Sequence, residues 1–190
     1  MALSRRAAVL ALAALVAACQ SAPPARTVRP TLYDDLAAPG AQVDAGRALS
    51  MINQYRVANG VAPLRLDPEL TRIARDYAAV MARTDKMSHY TIPIGQRLVS
   101  AGYPAATAGE NIAAGYHTLA EAFSGWRESP AHDRGMKDPD MTVMGIGTAY
   151  APNSKYKVFW SLVFARPKTD TPGVGASPTL VSIAGAPAPR

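Results

Sequence analysis

Apolar residues first recur with a helical period at Ala48, Met51, Ile52 and Tyr55, behind Asp44 and ahead of Gly60. An aspartate can accept the free N–H groups of a first turn, and a glycine can end a helix, so the spacing predicts a helix between them. The strongest period follows. Leu70, Ile73, Ala74, Tyr77, Ala78 and Met81 hold the i, i+3, i+4, i+7 rule behind Asp67-Pro68, with proline in the first turn where its missing N–H costs nothing. Thr118 and Glu121 form a capping box ahead of Phe123 and Trp126. Short helices or turns are expected over 94–100, ended by Gly102, and over 130–136. Strand signals come late: a short apolar run at 111–114, then 142–150 and 156–165, which read as a hairpin around Pro152-Asn153-Ser154. Helices surrounding a few strands, the last two paired antiparallel, predict a mixed α/β (α+β) domain layered α/β/α, not a parallel doubly wound sheet.

The packed block is expected over 44–166. Before it, 19–43 carries Pro23, Pro24, Pro30, Pro39 and Gly40 with little apolar periodicity and reads as a flexible tether. After it, 167–190 is rich in proline, glycine and alanine and is expected to be disordered. At the start, Arg5-Arg6 precedes the apolar stretch 7–18 and Cys19. A helix of that length spans about 18 Å, short of a ~30 Å hydrocarbon core, so 1–18 reads as a signal peptide. Its junction, Ala17-Ala18-Cys19, resembles a bacterial lipobox, which implies lipidation of Cys19 and an anchor in the membrane.

Composition narrows the classes. A chain of 190 residues suits one domain with tails, and 48% hydrophobic against 18% charged residues excludes wholesale disorder. The single cysteine excludes an internal disulfide framework. The net charge is +6, but two of those charges, Arg5 and Arg6, leave with the leader and the rest are scattered. A solvated surface explains them, and no nucleic-acid partner is expected.

Most sharp catalytic signatures are missing: no His-Glu-x-x-His, no Gly-x-Ser-x-Gly, no Walker loop. Gly145-Ile146-Gly147 lacks the third glycine of a dinucleotide loop and sits in a strand, where glycine allows close backbone packing. Three histidines remain, and two of them, His89 and His132, stand in polar motifs with Glu110 between them in sequence. A buried glutamate requires partners, and two imidazoles can supply them. The trio could hold a divalent metal such as zinc, or form a structural hydrogen-bond network. Trp126 and Trp160 read as core.

The motifs run in the order Ser88-His89, Gly109-Glu110-Asn111-Ile112, Trp126-x-x-Ser129-Pro130-x-His132, Gly145-Ile146-Gly147 and Phe159-Trp160. That order resembles the CAP superfamily of cysteine-rich secretory proteins, antigen 5 and pathogenesis-related proteins. The match is to the bacterial SCP-like branch over roughly 48–165. The resemblance implies an α-β-α sandwich with a small, mostly antiparallel sheet and a cavity holding two histidines and two acids. His89 and His132 match the histidines, as metal ligands, and Glu110 matches the first acid, acting behind them or through water. At the second acid's position stands Ser129, and Glu128 lies one residue early, turned about 100° away on a helix. The function this implies is an envelope lipoprotein: an extracytoplasmic, monomeric binding module for a small apolar ligand, a cell-wall component or a protein. A rival reading is a metal- or Ser/His-dependent hydrolase of extracellular substrates using Ser129, His132 and Glu110. A third is a scaffold acting only through protein contacts.

Overall fold

The computed structural model describes residues 31–169. Helix α1 (Ala45–Ala58) starts at Asp44, whose carboxylate accepts from the Arg47 N–H at 3.0 Å. It is followed by Gly60 at φ +74°, a conformation that favours glycine. Strand β1 (Arg65–Leu66) leads into α2 (Pro68–Thr84), where Asp67 takes the N–H groups of Glu69 and Leu70 at 2.9 and 3.0 Å. All six periodic apolar residues of α2 are buried. Then come α3 (Ile94–Ser100), β2 (Ala105–Ala114), α4 (Leu119–Glu128), α5 (Pro130–Met136), β3 (Val143–Tyr150) and β4 (Val158–Pro167). The capping box on α4 is complete: Thr118 Oγ1 accepts from the Glu121 N–H, and the Glu121 carboxylate accepts from the N–H groups of His117 and Thr118.

The sheet runs β1-β3-β4-β2. The hairpin pairs antiparallel from Tyr150↔Val158 to Val143↔Ala165, and β2 lies antiparallel on the other side of β4. Two strand expectations need correction. β2 is ten residues long and begins at Ala105, not at Asn111. Ala105 to Gly109 offer small side chains with no apolar signal, and it is pairing with β4 as far as Pro167 that holds them extended. The sheet also contains β1, parallel to β3 and too short to show a period. The Arg65 N–H donates to the Thr142 carbonyl and the Asp67 N–H to that of Met144.

Alternation along β4 builds both faces. Val158, Trp160, Leu162 and Phe164 join a core with Ala48 and Ile52 of α1, Leu119, Ala122 and Trp126 of α4, and Met136 of α5. Val163 and Ala165 meet Leu70, Ile73 and Ala74 of α2 and Leu98 of α3, while Phe159 packs with Tyr77 and Met81. Helices therefore cover both faces of a mixed sheet, as the sequence predicts. Trp126 and Trp160 are core residues, edge to face at 6.1 Å. Gly145 and Gly147 admit α2 onto β3: a Cβ at either would stand 2.2–2.4 Å from the backbone of Leu70, Thr71 or Arg75.

The packed domain begins before Asp44, which changes the boundary expected for the tether. A 3-10 turn at Thr31–Tyr33 leads to Leu36, only 7% exposed, whose N–H donates to the His117 carbonyl at 2.8 Å. Leu36 lies in the α1/α4 core, with Ala41 and Val43 packed against it, and this apolar contact outweighs the prolines nearby. The signal peptide, Cys19 and residues 170–190 of the expected tail lie outside the described residues. No helix among the described residues is long and apolar enough to cross a membrane.

Candidate functional site

The Gly109-Glu110-Asn111-Ile112 motif lies on β2 at the sheet edge, and strand alternation sends its polar residues to opposite faces. Glu110 turns toward α2 and α3, with a side chain only 4% exposed. Asn111 turns toward α5 and donates from Nδ2 to the His132 carbonyl at 3.0 Å. The Ile112 carbonyl accepts from Trp126 Nε1 at 3.3 Å. One four-residue motif therefore ties both helical layers to the same strand.

Glu110 is satisfied by two side chains. One oxygen meets His89 Nδ1 at 3.0 Å, and the other accepts from Arg97 Nη2 in a short ion pair. Arg97, on α3, was not among the expected site residues. Its guanidinium lies 3.6 Å from the centroid of the Tyr77 ring, and its Nε donates to the Ile92 carbonyl at 2.8 Å. Helical spacing from Ile94 to Arg97 and Leu98 places this arginine on the buried side of α3, and that was the signal available in the sequence. The segment carrying His89 is pinned at both ends by the same pair. Tyr77 Oη donates to the Ser88 carbonyl, and Arg97 holds Ile92. Ser88 Oγ accepts from the Tyr90 N–H, closing a turn that sets His89 over Glu110.

The chemistry of this cluster is directional. A carboxylate accepts, so His89 donates from Nδ1, with its side chain 42% exposed. Burial, and secondarily the charge of a protonated His89, push the His132 pKa below its ordinary value, which favours its neutral form. The structure joins His89 to Glu110 directly, and sets His132 on the neighbouring helix, close enough to feel the charge of His89. Ser129 stands between α4 and α5, with its carbonyl accepting from the Asp133 N–H and no side-chain cap bond. Glu128 is exposed, in line with the expectation that it points away. Among the described residues no group of three or more His, Cys, Asp or Glu side chains converges on one point. Both Glu110 oxygens are engaged, one by His89 and the other by Arg97.

A sandwich of this topology with this histidine–glutamate motif defines a class. The family model described as "CAP: Cysteine-rich secretory protein family" matches residues 49–164, and the chain belongs to that family. It is 30% identical over 104 residues to "Uncharacterized protein YkwD" of Bacillus subtilis, a match spanning 53% of this chain and 40% of that protein. The chain thus spans well under half of that relative. Two solved structures share the fold. One is an extracellular protein containing a SCP domain from Bacillus anthracis, with TM-score 0.57 and 24% identity, covering 64% of this chain and 40% of that one. The other is an outer surface protein from Borrelia burgdorferi, with TM-score 0.59 and 19% identity, covering 67% of this chain and 98% of that one.

Proposed function

We propose that this chain is a cell-envelope lipoprotein whose CAP domain serves as an extracytoplasmic binding module, with His89 and His132 as ligands for a divalent cation such as zinc. The observation that carries the metal reading is the 3.0 Å contact between His89 Nδ1 and the Arg97-backed Glu110 carboxylate. A buried acid that fixes one imidazole nitrogen and leaves the other facing outward is the usual support behind a metal-binding histidine. Two imidazoles leave open positions for water or a ligand's oxygen. Export is supported by the signal-like 1–18 and Cys19, and by the extracellular and outer-surface placement named for the two structural relatives.

The metal reading is tested by measuring zinc in purified wild type and in His89→Ala/His132→Ala. Wild type is expected to retain zinc and the double variant to lose it; equal, negligible contents in both would end the claim. The anchor is tested by fractionation. Cys19→Ser is expected to move the protein from the membrane pellet to the soluble fraction, and an unchanged pellet would refute lipidation.

A further inference from the structure

Two segments distant in sequence meet at the end of the molecule where α2 stops and the β3–β4 hairpin turns. Ser154 Oγ, in the hairpin, donates to Asp85 Oδ1, just past the last residue of α2. The segments joined this way, 83–90 and 151–157, carry Arg83, Lys86, Lys155 and Lys157 against a single acid, the Asp85 held by Ser154. Arg72 and Lys137 are each paired with a carboxylate, whereas Arg83, Lys86 and Lys155 have no carboxylate partner among the described residues. Lys157 Nζ donates to the Pro152 carbonyl at 2.7 Å, and Lys155 Nζ lies 4.8 Å from the centroid of the Tyr156 ring, so both ammoniums are held at the hairpin. Along the sequence these cations read as scattered. The fold gathers them into one unbalanced positive end.

Charge alone would suit any polyanion. What selects a lipid surface is apolar: Met87 is 50% and Tyr90 86% exposed, and both stand within four residues of Lys86. The loop that presents them is fixed, since the Tyr90 N–H donates to Ser88 Oγ and Tyr77 Oη donates to the Ser88 carbonyl. An apolar side chain kept in water beside lysines gains nothing from a soluble anion. At a bilayer it enters the boundary between headgroups and acyl chains while the ammoniums meet the phosphates.

We propose that the end formed by 83–90 and 151–157 docks on a membrane surface rich in anionic headgroups, with Lys86 and Lys155 on the phosphates and Met87 and Tyr90 at headgroup level. Contacts this few bind weakly and reversibly, so they turn an anchored domain toward the bilayer and do not replace the anchor. The contact itself rests on neither the anchor nor zinc, and the test removes both. The full chain carrying Cys19→Ser is sedimented, in chelator and at low salt, with vesicles of phosphatidylcholine alone or mixed with phosphatidylglycerol. Partition onto the mixed vesicles is expected to exceed that onto phosphatidylcholine about tenfold or more, and to fall steeply as salt is raised. Lys86→Glu/Lys155→Glu is expected to lower it about tenfold or more, and Met87→Gln/Tyr90→Gln about threefold or more. Urea unfolding is expected to stay at wild type in both, because all four side chains are exposed. Equal binding to both kinds of vesicle, as the apolar stretch 7–18 alone would give, overturns the docking surface. So does binding of Lys86→Glu/Lys155→Glu equal to wild type. A loss in the lysine variant with none in Met87→Gln/Tyr90→Gln would describe a surface for soluble polyanions, and overturns the membrane assignment.

Discussion

At the scale of single residues, the charge on Glu110 decides what the site can be. Its carboxylate is 4% exposed and its partner Arg97 is 7% exposed, so neither charge is solvated and each depends on the other. Removing one partner of such a pair typically costs about 3–5 kcal/mol, whereas replacing both by apolar groups is often near neutral. Arg97→Met is accordingly expected to lower the unfolding free energy by about 3 kcal/mol or more, and Arg97→Met/Glu110→Leu to recover most of that loss. Urea unfolding checks it, and a double variant as unstable as the single would show that the ion pair does not dominate. Glu110 and His89 were legible in the sequence because a motif carries them, but Arg97 was not. An arginine on a short helix usually faces water, so its spacing from Ile94 and beside Leu98 is a weak signal until contact with β2 is set beside it.

Among the elements, legibility followed local chemistry. α1, α2 and α4 announce themselves because Asp44, Asp67 and Thr118 each close a first turn through their own side chain, independent of the rest of the fold. The glycines of β3 are intelligible in the same local way, since only a residue without Cβ lets the α2 backbone approach within 2.2–2.4 Å of that position. β1 and the first half of β2 are different. Their residues are held by hydrogen bonds to Thr142, Met144 and the far end of β4, none of which is near in sequence. Pairing partners, not side-chain propensity, make these segments strands. The same holds for Leu36, which reads as part of a proline-rich tether until the His117 carbonyl and the α4 core are set beside it.

For the whole molecule, the question is what joins α1 to the part of the chain that carries His132. The answer is Arg56, near the end of α1 and fully buried. Its Nε donates to the Ala62 carbonyl at 2.8 Å, its Nη1 to Met136 and Asp138 at 2.8 and 3.0 Å, and its Nη2 to Met141 at 3.3 Å. Burial lowers its pKa to about 10, against a smaller upward pull from Asp138, so the guanidinium stays charged at neutral pH. The four carbonyls lie on the turn after α1, the end of α5 and the loop into β3, so one donor side chain joins three segments. Arg56→Met keeps the apolar bulk and removes the donor from all four carbonyls, of which that of Asp138 still accepts from the Met141 N–H, each buried loss costing about 1–3 kcal/mol. The expected outcome is a destabilisation of about 3 kcal/mol or more, with Arg56→Lys intermediate because one ammonium cannot reach all four oxygens. Since α5 ends at Met136 and carries His132, the zinc site proposed above predicts that the methionine variant loses the metal more readily than wild type in a chelator competition. Wild-type unfolding and zinc retention in Arg56→Met would mean that α5 is held by its apolar contacts alone, through Met136 and the α4 packing, and that the arginine only fills space.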